Sequence, residues 1–164
     1  MAAHIRPATV RDLDAAASAC VEGRREACAG LVPDADLAGL DARRPELVAR
    51  WADELAHGAH LWLAVDGTDV VGVAQAALRR DADTDILLEL VILQVLGRVS
   101  DPRLAPALVW TAVGDADAYT WLHEGETHLR ALLTDAGFED DGATRASDPP
   151  GASERRMVRQ AARD

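Results

Sequence analysis

Lysine is absent from this sequence, so all 17 of its basic side chains are arginines, against 28 acidic ones. The formal net charge is −11 at pH 7. Proteins that bind nucleic acid or anionic membranes usually present clustered basic side chains, because these neutralise phosphate charge. The composition therefore argues against both kinds of partner. Arginine without lysine, together with frequent alanine, aspartate and glycine, is typical of a GC-rich genome.

Cysteine is scarce as well, with only Cys20 and Cys28 in the chain. Both fall in a predicted helix, where a separation of eight residues corresponds to about 12 Å along the axis. That distance is too long for a disulfide, so we expect two free thiols and a reducing compartment. The sequence also lacks an apolar run of membrane-spanning length and a charged-then-apolar leader at Met1. These features predict a cytoplasmic protein.

The chain has 164 residues, of which 49% are hydrophobic and 27% charged. A chain of this size and composition buries a sizeable core, so residues 1–164 are expected to form one domain. Periodicity and turn signals predict alternating strands and helices. The predicted strands are 4–12, 60–66, 69–78, 85–96, 118–124, 138–145 and 154–160, and the predicted helices are 13–29, 44–58, about 100–114 and 126–136.

The junction between the strand and the helix within residues 93–109 raises the question of a ligand. The apolar strand runs into Gly97-Arg98, and Ser100-Asp101-Pro102 is typical of a helix start. Backbone N–H groups at such a junction often hold a phosphate. Ser100 or Asp101 is the expected cap, with Pro102 at the first helical position. Pro106 then falls in the first turns, so we expect the helix to start late or to bend.

Three stretches carry a resemblance to a known family: "IRPATVRDLDA" at the start, "DGTDVVGVA" in the predicted hairpin, and "WLHEGETHLRALLTDAGFEDDGATR" near the end. In the last, "AGF" followed by "DGATR" is the most specific. From Ile5 to about Gln160 the sequence resembles the GNAT superfamily of N-acyltransferases. The resemblance implies an α/β (α+β) fold, with a mixed central sheet and helices on both faces. It also implies an acyl-CoA in a V-shaped gap between the fourth and fifth strands, a small-molecule acceptor and a homodimer.

The loop that holds the CoA pyrophosphate in this family departs from its usual pattern here. Gly97 and Arg98 match and are the implied cofactor-binding residues. Four other positions carry different residues where the family has a proline, an Arg or Gln, and two glycines: Leu93, Leu96, Val99 and Asp101. An Asp101 carboxylate about 4 Å from a phosphate charge costs roughly 4 kcal/mol at an effective dielectric of about 20. A helix N-terminus stabilises a bound phosphate by only about 0.3–2 kcal/mol, so the repulsion is larger unless Asp101 points away.

Two further positions differ from the family. Glu126 stands where an Asn often contacts the cofactor, and Leu133 stands where a Tyr often protonates the departing thiolate. Leucine cannot donate a proton, and loss of a general acid typically lowers a rate by about 10²–10⁴. The usual family route of acetyl transfer is thus altered at both the binding step and the chemical step.

Several polar residues near the predicted gap are candidates for chemistry. Glu89 is an ionisable residue in an apolar strand, where it is either functional, paired with an arginine, or turned outward. Asp85, at the start of that strand, matches roughly where family members place a general base. Strand alternation places Tyr119, Trp121 and His123 on one face of the fifth strand. We therefore expect Glu89, Asp85 and His123 as catalytic candidates, against the alternative that Trp121 is core and His123 lies at the surface.

Two other pairs carry weaker signals. Arg24 and Arg25 lie near the loop that lines the acceptor side in the family, and with Trp121 and Tyr119 they are the predicted substrate-binding residues. They are either contacts for an anionic substrate or a solvated helix end. His57 and His60 have no Cys or carboxylate at ligand spacing, so we predict no metal site.

Three hypotheses from different classes follow. The first is a divergent acyl-CoA-dependent N-acyltransferase acting on a small molecule, as the resemblance implies. The second keeps the fold and uses the gap for CoA-independent acid/base chemistry of the lyase, isomerase or cyclase type, with Glu89 and His123 as the acid/base pair. The third is a non-catalytic binding or partner domain, since a fold does not by itself imply a function.

Overall fold

The computed structural model describes residues 3–30, 33–146 and 153–161. These residues form seven strands and five helices, besides a short 3₁₀ turn at Val10–Asp12. The strands are β1 (His4–Pro7), β2 (Trp62–Asp66), β3 (Asp69–Leu78), β4 (Leu88–Val95), β5 (Ala118–His123), β6 (Glu139–Ala146) and β7 (Ser153–Arg159). The helices are α1 (Leu13–Cys28), α2 (Asp34–Ala38), α3 (Leu40–Ala56), α4 (Leu104–Val113) and α5 (Thr127–Asp135).

All seven strands join one mixed sheet in the order β1-β2-β3-β4-β5-β7-β6. Neighbouring strands are antiparallel except β4 and β5, which are parallel. The hairpin predicted at Asp66-Gly67 connects β2 and β3, and Gly67 has a φ of 63°, a left-handed conformation that glycine adopts without strain.

The parallel pair β4 and β5 separates soon after it begins. Only Leu88 with Ala118 and Glu89 with Tyr119 are in register. Just beyond this paired end, β4 contains a bulge at Val91. The neighbouring residues Gln75 and Ala76 of β3 pair with residues of β4 that are two apart, so Val91 is the extra residue. A bulge bends a strand and increases its local twist. The two strands therefore diverge into a V.

Helices cover both faces of the sheet, as the mixed-sheet prediction requires. Alternate residues of β2 point to opposite sides: Leu63 belongs to a core with Leu13 of α1 and Trp51 of α3, and Ala64 to a core with Leu108 of α4. This alternation is the period-two pattern of a strand buried on both faces. In the described part of the chain, no helix is long and apolar enough to span a membrane.

Two helices begin at residues that differ from the start of the predicted range. Helix α3 starts at Leu40, four residues before the predicted start, and continues through Pro45, which lacks the N–H of one helical hydrogen bond. Helix α4 starts at Leu104, beyond the cap motif at 100–102, which is the late start that Pro106 led us to expect, and Asp101 accepts a hydrogen bond from the Arg103 N–H at 3.0 Å. The late start puts Pro106 in the first turn, where its missing N–H needs no helical partner.

Candidate functional site

The divergence of β4 and β5 opens a cleft with a volume of about 860 Å³. We call it the β4–β5 cleft. Its base is formed by Val91–Gln94 and Thr120–His123, and residues of α1, α3, α5 and β7 complete its walls. At its vertex the Thr120 hydroxyl donates a hydrogen bond to the Leu90 carbonyl at 2.8 Å, which joins the strands where their backbone pairing has ended.

A polar cluster formed by Arg24, His123 and Glu126 lies in the wall of this cleft. Nη2 of Arg24 is 2.5 Å from Nε2 of His123, and Nη1 of Arg24 is 3.1 Å from the Glu126 carboxylate. Glu126 also accepts a hydrogen bond from the backbone N–H of His123 at 2.9 Å. Its side chain is only 2% exposed, whereas that of Arg24 is 42% exposed. The buried carboxylate therefore holds a guanidinium that reaches solvent.

Glu154 of β7 borders the same imidazole. Its carboxylate is 4.0 Å from Nε2 of His123 and 2.6 Å from Arg145. The imidazole thus lies between the Arg24 cation and a carboxylate that Arg145 neutralises. Because a guanidinium only donates hydrogen bonds, Nε2 of His123 is on the accepting side of its contact with Arg24.

Trp121 also lines the cleft, and its indole is fixed on several sides. Nε1 donates to the Asp81 carboxylate at 2.5 Å. The guanidinium of Arg145 lies over the ring, 4.3 Å from its centroid, and that of Arg156 lies 5.6 Å away. Cation–π contacts of this kind stabilise a ring orientation. Trp121 is therefore held in one orientation in the cleft wall.

Glu89 and Tyr119 do not line the cleft. They sit side by side at its vertex, where the Tyr119 hydroxyl is 3.2 Å from Glu89 and accepts from the backbone N–H groups of Arg80 and Asp81. Arg80 contacts Glu89 through two hydrogen bonds of 3.0 and 3.1 Å, and these raise the pKa of Arg80. Burial raises the pKa of Tyr119. The structure thus corrects the expected Glu89–His123 pair and favours the alternative, pairing of Glu89 with an arginine.

Two other predicted site residues lie elsewhere. Asp85 is exposed, precedes β4 and does not line the cleft. Arg25 is exposed and pairs with Asp41 at 2.8 Å, so of the two neighbouring arginines only Arg24 faces the cleft. The reason is helical geometry, since consecutive residues of α1 point about 100° apart. In the described residues, no group of three His, Cys, Asp or Glu side chains is placed to hold a metal ion.

The cofactor-binding candidates Gly97 and Arg98 face acidic residues of α1. The Gly97 N–H donates to Glu26 at 2.9 Å, and Arg98 contacts Glu22 at 2.6 Å. Two further N–H groups have internal acceptors, because Val99 donates to the Leu96 carbonyl at 3.0 Å and Arg103 donates to Asp101. Four donors of this junction thus contact the chain's own oxygens, and three of those oxygens belong to carboxylates.

A second cavity of about 340 Å³ continues from the strands toward this junction. It is lined by Gly97, by Glu26 on α1 and by His128 and Leu132 on α5. Glu126 borders both cavities. The gap between β4 and β5 therefore has two compartments, with Glu126 at their shared boundary.

The two cysteines are free, and both thiols are deactivated by their surroundings. Burial raises the pKa of Cys20, which lines the cleft, to about 12. Burial also raises the pKa of Cys28. Neither environment favours the thiolate, the reactive form of a cysteine.

Three acidic residues of the site were not predicted from the sequence. Glu154 stands across the β5–β7 ladder from His123, a pairing that depends on register between distant strands. Glu22 and Glu26 lie four apart on α1, and such spacing puts two carboxylates on one helix face. That spacing was the available signal, but their partners Gly97 and Arg98 lie more than 70 residues away along the chain.

No protein-family model matches the sequence, and no curated protein matches it either. Solved structures do match. The paiA N-acetyltransferase from Thermoplasma acidophilum, in complex with coenzyme A, has a TM-score of 0.75 at 14% identity over 98% of this chain and 99% of its own. A protein described as histone acetyltransferase HPA2 and related acetyltransferase, from Corynebacterium glutamicum, has a TM-score of 0.69 at 21% identity over 100% and 99%.

A GNAT-family acetyltransferase from Streptococcus agalactiae has a TM-score of 0.70 at 13% identity, covering 98% of this chain and 96% of its own. At such identities the likeness concerns the fold. It extends over nearly the whole chain, and it includes the mixed sheet with helices on both faces that the sequence predicted. The chain has the fold of the GNAT acetyltransferases.

Proposed function

We propose that the protein binds a small molecule in the β4–β5 cleft and acts on it by proton transfer, without acyl-CoA. The observation that carries this proposal is the position of His123 in the cleft wall, within hydrogen-bond distance of Arg24 and close to Glu154. Histidine is the side chain best suited to exchange protons near neutral pH. A pocket with few convergent polar groups around it is the usual form of a small-molecule site.

His123 is the acid/base group of this proposal. Nε2 takes a proton from the bound molecule and returns it to another atom of that molecule, so the reaction needs no co-reactant. Isomerisation has this balance, and so does a ring closure in which an internal nucleophile loses its proton to His123, forms the new bond and displaces a leaving group that takes up the same proton. Rigid neighbours favour such chemistry, because a proton donor must be held at hydrogen-bond distance from the reacting atom.

Glu126 positions His123, and Arg24 occupies its Nε2 in the free protein. Glu126 fixes the backbone of His123 and the guanidinium of Arg24 at once. Arg24 is partly exposed, so an anionic group on the ligand can draw it away from His123 and leave Nε2 free to accept a proton. We therefore expect the ligand to carry a carboxylate or a comparable anionic group, as the sequence prediction for Arg24 suggested.

The exclusion of acyl-CoA is supported by the junction after β4. Glu26 and Glu22 hold the Gly97 N–H and the Arg98 guanidinium there, and Asp101 takes a third donor. Leu133, at the position where the family often has a tyrosine, is buried and offers no proton. These features favour a cleft that functions without the nucleotide.

The experiment is a thermal-shift screen of the purified protein against small carboxylates and other metabolites, followed by NMR detection of converted product. His123→Ala should abolish conversion, and His123→Gln, which retains a hydrogen-bond acceptor, should retain ligand binding without turnover. His57→Ala is the matched control, because His57 is exposed and lines neither cavity. Binding in the cleft with no conversion of any ligand would instead support a non-catalytic binding domain.

Acyl transfer from acyl-CoA to a small amine is a second candidate. The Val91 bulge and the divergence of β4 from β5 favour it, because they form an open slot between parallel strands in a fold whose Thermoplasma acidophilum example holds coenzyme A. Release of free thiol from acetyl-CoA in the presence of a panel of amines, lost in a variant that narrows the slot such as Leu93→Trp, would establish this candidate over the first.

A further inference from the structure

We infer that the carboxylates of Glu22 and Glu26 on α1 occupy the anion-binding donors at the junction between β4 and α4. They thereby exclude phosphate-bearing cofactors from this junction. The inference rests on the part of the proposed function that excludes acyl-CoA. It assigns that exclusion to two named side chains, outside the cluster around His123.

The contacts are direct and complementary. Oε2 of Glu26 accepts the Gly97 N–H at 2.9 Å, and Oε1 of Glu22 contacts Nη1 of Arg98 at 2.6 Å. A backbone N–H followed by a guanidinium is the donor pair that a phosphate would use. The two carboxylates, one turn apart on the same helix, take both donors.

Gly97 leaves room for the Glu26 carboxylate beside the backbone. A Cβ at this position would lie 3.3 Å from Oε2 of Glu26, which is tighter than ordinary contact. The φ angle of Gly97 is not positive, so the backbone conformation alone does not demand glycine. The glycine at this position therefore allows the close approach of a carboxylate of the same chain.

Close packing of α1 on β4 brings the two glutamates to the junction. A Cβ on Gly23 would overlap the side chain of Gln94 in β4, so the helix sits nearer to the strand than a larger residue would allow. Glu22 and Glu26 flank Gly23 on the exposed side of this contact. Their positions thus follow from a buried packing contact as well as from their own hydrogen bonds.

The electrostatic consequence is repulsion of an incoming phosphate. A pyrophosphate at the junction would have to displace Glu26 from the Gly97 N–H and Glu22 from Arg98, and both carboxylates would stay nearby because their helix is anchored. Asp101, which holds the Arg103 N–H, adds a third negative charge. Exposed ion pairs contribute little to stability, so the main effect of these residues is on selectivity.

The test is calorimetric titration at low ionic strength with inorganic pyrophosphate and, separately, with CoA. The variants are Glu26→Gln, Glu22→Gln and the double variant, because glutamine removes the charge and keeps the shape. Glu139→Gln on β6 is the control, since it makes the same charge change at an exposed position that lines neither cavity. We expect the double variant to bind pyrophosphate at least tenfold more tightly than the wild type, and the control to behave as the wild type does.

A folded double variant that binds pyrophosphate no more tightly than the wild type would overturn the inference. Hydrogen exchange at the Gly97 amide gives a second readout, since Glu26→Ala should speed it and Glu139→Ala should not. The proposed function is judged separately: a ligand of the cleft should bind the double variant and the wild type alike. Loss of cleft binding in the wild type would therefore count against the proposed function and leave the assignment of the glutamates standing.

Discussion

Nη2 of Arg24 lies 2.5 Å from Nε2 of His123, joining helix α1 to the last residue of β5 across the open side of the β4–β5 cleft. Glu126 completes the contact by binding both residues. Arg24 belongs to α1 and His123 to β5, so the cluster links the helix to the strand at a level where β4 and β5 are no longer paired. It is therefore both a structural link and the chemical centre of the proposed site.

Glu126→Ala should destabilise the protein by about 2 kcal/mol, because the change removes a buried acceptor of two hydrogen bonds and leaves Arg24 unpaired. Urea denaturation followed by circular dichroism measures the free energy of unfolding. Glu22→Ala is the matched control, as its ion pair with Arg98 is half exposed and should be worth less than about 1 kcal/mol. Equal losses in the two variants would show that the cluster does not hold the cleft together.

Glu89→Ala should lower the free energy of unfolding by about 3 kcal/mol and leave ligand affinity in the cleft within about twofold of the wild type. The Glu89 carboxylate is buried and accepts hydrogen bonds from Arg80 and Tyr119, but it does not line the cleft. Glu89→Gln should cost less, about 1 kcal/mol, because the amide oxygen can still accept from Tyr119. A large loss of turnover with unchanged stability would restore a catalytic role for Glu89.

The sequence predicted those features that depend on local pattern. The hairpin at Asp66-Gly67 and the apolar run of β4 follow from turn chemistry and alternation, and the structure confirms both. For α4 the cap motif at 100–102 competes with the requirement that Pro106 lie in the first turn, so the sequence left a late start and a bend open, and the structure shows the late start. Local signals alone do not decide between two such demands.

The candidate site was only partly predictable. His123, Trp121 and Arg24 were recognised as polar or aromatic residues near the gap, and all three line the cleft. Glu89 was the most conspicuous carboxylate in the sequence, yet its partner Arg80 makes its role structural. Such pairings depend on how the β3–β4 connection folds back on the sheet, which residue spacing does not show.

Acid should destabilise the protein through Asp12. The Arg6 guanidinium, 2.7 Å from this carboxyl, holds its pKa well below the usual range. A lowered pKa in the folded state means that the stabilisation is fully present above about pH 4 and is lost as the pH falls toward the folded-state value.

Asp12→Asn should therefore lower the free energy of unfolding by about 1 kcal/mol at pH 7, and by progressively less below pH 4. The loss is modest because Arg6 is partly exposed. Urea titrations at several pH values measure this difference. A difference that is constant with pH would contradict the assignment.

The native thiols should be nearly inert. Burial raises the pKa of Cys20 to about 12 and also raises that of Cys28. At pH 8 we expect reaction with 5,5′-dithiobis(2-nitrobenzoic acid) to be at least about a hundredfold slower than in urea, where both thiols should react at the rate of an ordinary cysteine. Cys28→Ala reports on Cys20 alone. A Cys20 that reacts as fast in the folded protein as in urea would contradict the raised pKa of this thiol.

The predicted homodimer can be examined independently, by light scattering coupled to size-exclusion chromatography. The cleft is formed within one chain by α1, α3, α5 and the strands around β5. Activity per chain should therefore be independent of protein concentration across any monomer–dimer equilibrium. A specific activity that falls on dilution would show that a second copy is needed to complete the site.

Calorimetric titration of the wild-type protein with acetyl-CoA tests the central claim most directly, since the proposed proton-transfer site functions without it. The contacts of Gly97 with Glu26 and of Arg98 with Glu22 predict no detectable heat at millimolar acetyl-CoA, and a ligand of the cleft should then still bind in its presence. Saturable binding with a micromolar Kd and one site per chain would contradict the account and establish the acyltransferase candidate in its place.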